Sequence, residues 1–186
     1  MAGLGLAITE MQLEDIAFLL DLWRDSTVMR YADEFPKLRG WSKSASIESA
    51  WEHYQKKRAE HGHSYTQMIV RILDGTPIGE SFFAPLPEGY RFGKWAKPRG
   101  VSCLMADIKL LPGYWGKGVA TTAMQLVALS VFTHTSCDLF VVPPHRLNAA
   151  AIRVYEKVGF ILFPGMRSWR NHKIMELTKA RFKEIH

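Results

Sequence analysis

The period of the apolar positions changes several times along the chain, and each change marks an element. Residues 4 to 9 read as a first strand, and Leu13, Ile16, Leu20 and Trp23 then fall on one helical face. Thr9 and Gln12 have the spacing of a capping box ahead of that face. A second stripe, Ile47, Ala50, Trp51 and Tyr54, predicts a helix from about Ile47 to Glu60, with Ser44 or Ser46 as its cap. The segments YTQMIVRIL and PIGESFFA read as strands joined through the turn DGTP, hence as a hairpin. PLPEGYRFGKWAKPRG, residues 85 to 100, is broken by Pro and Gly and reads as a long loop. VSCLMADIKLL is the next strand. The apolar run from Val119 to Phe132 is too long for a strand and predicts a mostly buried helix. CDLFVV is a strand, and NAAAIRVYEKVGF a helix that Asn148 can cap and Gly159 stops. Two strand candidates remain, around 160–164 and 172–178.

The order is β-α-α-β-β-β-α-β-α-β-β. Hairpins come first and β-α-β crossovers later, which predicts a mixed sheet with helices on its faces, an α/β (α+β) fold. A length of 186 residues fits one domain, spanning 1–186. The N-terminus has no basic region ahead of an apolar run, and no window approaches the roughly 18 apolar residues of a membrane span. Cys103 and Cys137 both lie in apolar, strand-like contexts and read as buried thiols of a reducing compartment. The expected location is therefore cytoplasmic. A net charge of +6 suits an anionic partner, such as a nucleic acid, a phosphorylated cofactor or an acidic acceptor, without choosing among them.

The segment PGYWGKGVATTAM, residues 112 to 124, places glycines and a lysine between a strand and a helix. It is not a nucleotide-binding P-loop: Leu111 stands where the first Gly is needed, and Lys117 is followed by Gly118 rather than Ser or Thr. It is not a dinucleotide fingerprint either, because Thr121 holds the third glycine position. The physics still favours an anion. The first N–H groups of a helix have no intrahelical partner and carry the positive end of its dipole, and Lys117 adds a cation. A tight turn without a ligand is the competing reading. In NAAAIRVYEKVGF, Ile152, Tyr155 and Val158 share one helical side, so Tyr155 is either a packed core residue or a phenol held at a site.

Together these two stretches resemble the GNAT family of acyl-CoA-dependent N-acetyltransferases. The family's pyrophosphate-loop pattern falls on Trp115-Gly116-Lys117-Gly118-Val119-Ala120, where Gly118 and Ala120 match and Trp115 replaces the usual Arg or Gln. The later signature matches at Asn148, Ala151, Ile152, Tyr155, Glu156, Lys157, Gly159 and Phe160. DGTPIGE and VVPPHRLN look most like the branch with aminoglycoside and siderophore-related lysine acyltransferases. YWGKG and STVMRYADEFP lean toward ribosomal-protein alanine acetyltransferases.

The resemblance implies a mixed, mostly antiparallel sheet of six to seven strands with helices on both faces. It implies acetyl-CoA as co-substrate, no metal, and transfer to a primary amine of a small molecule or peptide N-terminus by direct attack. The pyrophosphate would meet the backbone of Gly116, Lys117, Gly118, Val119, Ala120 and Thr121, beside Trp115. The pantetheine arm would run along Ile108 and Leu110, in a gap between that strand and CDLFVV, with Asn148, Ala151 and Tyr155 across it. A backbone N–H near Leu110 would polarise the thioester carbonyl. Tyr155 would protonate the leaving thiolate. Asp107 is the first candidate for the base and Glu80 the second, with ordered water as a further carrier; a paired strand-edge carboxylate is the structural alternative for Asp107.

The 85–100 segment interleaves Tyr90, Phe92 and Trp95 with Arg91, Lys94, Lys97 and Arg99. Basic groups among aromatics suit single-stranded nucleic acid. The alternatives are a solvated loop whose aromatics cover the core edge or, by the resemblance, a positive wall of the acceptor site that disfavours polycations. His61 and His63 flank a glycine and read as exposed loop residues without further ligands. The rival functions are a non-catalytic acyl-CoA sensor on the same fold and a basic nucleic-acid module. A nucleic acid or membrane partner is not expected, and the chain is expected to be a monomer or homodimer.

Overall fold

The computed structural model describes residues 5–32, 45–164 and 171–186. Seven strands form one sheet in the order β1-β2-β3-β6-β7-β9-β8. They are β1 (Leu6–Glu10), β2 (Thr66–Ile72), β3 (Pro77–Pro85), β6 (Cys103–Leu110), β7 (Leu139–Val142), β8 (Ile161–Leu162) and β9 (Met175–Thr178). All neighbours are antiparallel except β6 and β7. That one parallel pair is the join between a hairpin half and a crossover half, as the sequence predicts. The expected β2–β3 hairpin is present and β3 pairs directly with β6.

Helices α1 (Ile16–Arg24) and α2 (Ile47–His61) cover one side of the first half. α1 buries Ile16, Leu19, Leu20 and Trp23, and α2 buries Ala50 and Tyr54. Ser46 caps α2, its hydroxyl accepting the Ser49 N–H at 3.1 Å; Ser44 lies outside the described residues. The start of α1 differs from expectation. The box is made by Gln12 and Asp15, whose carboxylate accepts the Gln12 N–H at 3.0 Å, because Thr9 still belongs to β1.

On the other side lie α3 (Val119–His134) and α4 (Ala149–Val158). α3 buries one broad face, with Val119, Ala123, Val127 and Val131 four apart and Met124, Ala128 and Phe132 beside them, while Leu129 on the other side is exposed. Asn148 caps α4, its side-chain oxygen accepting the Ala151 N–H at 3.1 Å, and Gly159 ends it with φ +108°.

Two elements depart from the sequence reading. Within residues 85–100 a small hairpin forms, β4 (Arg91–Phe92) with β5 (Trp95–Ala96). Phe92 and Trp95 are buried on Cys103, Met105, Leu139 and Val141, so these aromatics cover the core. Lys97 is buried against Glu88, which removes it from any cationic surface. A last helix, α5 (Lys179–Ile185), follows β9, capped by the Thr178 hydroxyl on the Arg181 N–H at 3.2 Å. Its seven residues carry too short an apolar pattern to stand out in the sequence. Among the described residues, no helix is long and apolar enough to cross a membrane.

Candidate active site

The decisive feature is a fork in the sheet. β6 pairs β7 only through Cys103, Leu104 and Met105, opposite Leu139, Phe140 and Val141. From Ala106 onward the two strands part. β7's side continues instead toward β9 and through an isolated bridge between His145 and His172. On its other edge β6 stays paired with β3 as far as Gly79 opposite Leu110. Leu111 donates its N–H to the Ile78 carbonyl at 2.9 Å. In an antiparallel ladder such groups alternate, so the N–H and C=O of Leu110 and Ile108 point the opposite way, into the fork. The approach of β3 requires Gly79: a Cβ there would lie 2.3 Å from the Lys109 carbonyl oxygen and 3.0 Å from the Leu110 Cα.

At the end of β6 the chain turns through a single 3-10 turn, Pro112–Tyr114, into α3. Gly116 and Gly118 have φ of +70° and +81°, and a Cβ on either would meet nothing within 4 Å. Gly118 is the N-cap of α3, its carbonyl accepting the N–H of Thr121 and Thr122. The backbone N–H groups of Gly116 to Ala120 have no backbone partner among the described residues. Open N–H groups, glycines facing free space and a helix N-terminus of 16 residues form a cradle that a pyrophosphate fits. Trp115 stands 46% exposed and donates its indole N–H to the Leu110 carbonyl at 2.8 Å, tying loop to strand. The Lys117 ammonium donates to the Gly113 carbonyl at 2.7 Å and so braces the loop.

Behind the loop, along β6, the titratable residues gather. Tyr155 of α4 is buried against Phe160 and the main core. Burial raises the pKa of its phenol above the ordinary value, and the charges of Asp107 and Glu80 raise it further; a hydrogen bond from the Ile108 N–H acts the other way. Tyr155 therefore reaches the fork and stays protonated. Asp107 accepts the Lys109 ammonium at 2.7 Å and keeps its side chain 34% exposed. Glu80 is fully buried. Its carboxylate takes the Lys109 ammonium at 2.8 Å, the Trp23 indole N–H at 3.0 Å and the Gln67 amide.

Of the residues singled out from sequence, Tyr155, Asp107, Glu80, Ile108 and Leu110 meet at the fork. Trp115, Gly116, Lys117, Gly118, Val119, Ala120 and Thr121 form the loop and the first turn of α3 beyond it. Asn148 and Ala151 lie in the first turn of α4, Asn148 about 10 Å along the helix from Tyr155, at 1.5 Å per residue. Sequence reasoning passed over Lys109, Trp23 and Gln67. The signal for Lys109 was visible as charged residues at alternate positions, Asp107 and Lys109, in an otherwise apolar strand. His61 and His63 are exposed as expected, and no group of three metal-binding side chains occurs among the described residues.

A family model for the acetyltransferase (GNAT) domain matches residues 6–161. The chain belongs to the GNAT acetyltransferase family. It is thus an acetyltransferase whose acyl donor is acetyl-CoA. The fold matches that of aminoglycoside acetyltransferase AAC(6')-Ib in complex with coenzyme A, at 20% identity and a TM-score of 0.72, over 97% of this chain and 98% of that one. Spermidine N-acetyltransferase from Vibrio cholerae, in complex with coenzyme A and spermine, matches at 17% identity and a TM-score of 0.71, over 96% and 98%. The putative acetyltransferase yncA from Salmonella typhimurium, with acetyl-CoA, matches at 16% and 0.65, over 94% of each chain.

Proposed function

We propose that this GNAT protein transfers an acetyl group from acetyl-CoA to a primary amine, on a small molecule or a peptide N-terminus, by direct attack. The observation that carries the reading is the pairing of an ionisable carboxylate, Asp107, with a proton-holding phenol, Tyr155, at the mouth of the fork. Direct transfer needs a base for the incoming amine and an acid for the departing sulfur, close together but distinct.

Acetyl-CoA supplies the thioester carbonyl. The N–H groups of Gly116 to Ala120 would hold its pyrophosphate, and the Ile108 carbonyl and Leu110 N–H, beside the groups that Tyr155 and Trp115 already engage, would align its arm. Asp107 takes the proton from the acceptor's ammonium, directly or through water. At neutral pH an amine near pKa 10.4 faces a deprotonation cost of about 4–5 kcal/mol, so this step is where a base matters. Glu80 is ill suited to it, being fully buried with three donors already on its carboxylate. The Leu110 N–H, pointing into the fork, meets the charge that develops on the carbonyl oxygen, a contribution typically of about 3–4 kcal/mol. Tyr155 gives its proton to the sulfur.

The acceptor is best read as a cationic amine. Among the described residues the fork holds one more carboxylate than ammonium, and the basic residue Lys97 of the 85–100 segment is neutralised by Glu88 away from it. Two of the fold's neighbours carry polyamine-like ligands or names, an aminoglycoside enzyme with kanamycin and a spermidine enzyme with spermine, which agrees with that reading. The test is a thiol-release assay with acetyl-CoA against a panel of aminoglycosides, polyamines and peptide amines. Turnover with one of them supports the proposal. Coenzyme binding by calorimetry without turnover of any amine would favour the non-catalytic sensor.

A further inference from the structure

Behind Asp107 lies a charged pair, Glu80 and Lys109, to which the proposed reaction gives no role. Glu80, on β3, is fully buried. Trp23 from α1 and Gln67 from β2 donate to it, at 3.0 Å in the case of the indole. Lys109, directly opposite Glu80 in the β3–β6 register, has a side chain only 5% exposed. Its ammonium reaches Glu80 Oε1 at 2.8 Å and Asp107 Oδ2 at 2.7 Å, and it stands 6.0 Å from the centre of the Trp23 ring. Three elements thus immobilise one ammonium, whose remaining strong contact is the carboxylate at the fork.

Stability does not account for this arrangement. A buried ion pair recovers little more than its desolvation cost, and apolar residues of the same volume usually serve the fold as well. The geometry also has a direction. Glu80 is saturated and sealed, Lys109 is shared, and of the three only the side chain of Asp107 is part exposed, its Oδ1 remaining buried.

We propose that the Glu80–Lys109 pair is a positioning device for Asp107: it fixes the carboxylate at the fork and supplies the positive charge beside it. This deepens the reading of Asp107 as the base and rests on it. Lys109 is a positioning residue here, acting through Asp107. The charged and titratable groups that face Asp107 among the described residues are Lys109 on β6, Glu80 on β3 and Tyr155 on α4. Lys109 is the cation bonded to it. Removing it must raise the pH at which Asp107 takes up a proton, and a base then acts only at higher pH. An opposite charge at this range typically moves a carboxylate by about 1–3 units.

The experiment reads the carboxyl carbon of Asp107 by NMR in aspartate-labelled protein, assigned with D107N, alongside the pH profile of kcat/KM. In K109M the titration midpoint is expected about one unit or more above wild type, with the acid limb of the profile displaced in the same direction. K109R should restore both, and the KM for acetyl-CoA should change less than about twofold. E80Q/K109M avoids a buried unpaired carboxylate and serves where K109M does not fold. Its midpoint should still lie above wild type, because the lost cation is nearer to Asp107 than the lost anion. A midpoint unmoved in both variants overturns the proposal. The resonance needs no substrate, so failure of wild type to turn over any amine would overturn the functional reading separately, leaving the midpoint to judge Lys109.

Discussion

Tyr155 of α4 lies against Ile108 just past the point where β6 leaves β7, so a helix side chain stands beside a strand edge that a neighbouring strand would otherwise cover. The phenol is held by burial and by the negative charges of Asp107 and Glu80 in its protonated form. Two consequences follow for activity. Y155F should fold normally and lose about 10²-fold or more in kcat, the usual range for a positioned acid. Because the phenol's pKa lies above its ordinary value, wild-type activity should show no alkaline decline attributable to Tyr155 up to pH 10. Thiol release measured across pH in both proteins checks this, and an equal kcat in Y155F would remove Tyr155 from the chemistry.

Gly118 takes a left-handed conformation that side chains rarely adopt, and its missing Cβ leaves open space before the helix. G118E would direct a carboxylate into the cradle. Calorimetry should show micromolar acetyl-CoA binding by wild type and none by the variant, with circular dichroism unchanged. Retained binding would move the pyrophosphate site elsewhere.

At Gly79 the constraint is contact rather than torsion. A methyl group there collides with the Lys109 carbonyl and the Leu110 Cα, both backbone atoms that can move only with β6. G79A should lose about 1–3 kcal/mol in urea unfolding. It should also lower kcat, since the displaced segment includes the Leu110 N–H. Unchanged stability would mean that β3 and β6 separate without cost.

Glu10 links β1 to α2, accepting Arg58 at 2.8 and 2.9 Å and the Tyr54 hydroxyl at 2.9 Å. Burial alone would raise its pKa, but the hydrogen bonds from Arg58 and Tyr54 and the guanidinium charge together hold it below the ordinary value. A carboxylate with a lowered folded-state pKa adds stability above its unfolded pKa and loses it as pH falls through the folded one. Wild-type Tm should therefore drop below about pH 4.5, and E10Q should show a shallower drop over the same interval.

Cys103 and Cys137 are both pushed up to about 12, first by burial. Neither should react with a thiol reagent at pH 8 in the native protein, and both should react after denaturation. A fast native reaction at either would show that its strand opens.

The order of elements along the chain and the two helix pairs could be read from period, because each apolar stripe serves a single core; the order of the strands within the sheet could not. Asn148 and Gly159 announced α4 through local chemistry, and Gly118 announced α3. The fork could not be read that way. Nothing local in CLMADIKL tells that its second half lacks a partner, since that depends on where β7 turns aside toward β9 and His172. The Trp23–Glu80–Lys109–Asp107 chain was hidden for a related reason: it is built across three elements, and only Asp107 and Lys109 are close in sequence. In the 85–100 segment the reading in which the aromatics cover the core edge holds for Phe92 and Trp95, while Arg91 and Lys94 remain outside.

An ordinary sheet has two borders; this one has four. Besides the outer rims at β1 and β8, the parting of β6 from β7 opens two more in the middle of the molecule. Unpaired strand borders invite other chains to add on, and outer rims are commonly kept short or charged for that reason. The inner pair lies within the sheet rather than at its rim, with Tyr155 of α4 against one of its edges. A substrate that lies along it would complete the ladder from within, so the protein should be at its most stable when loaded.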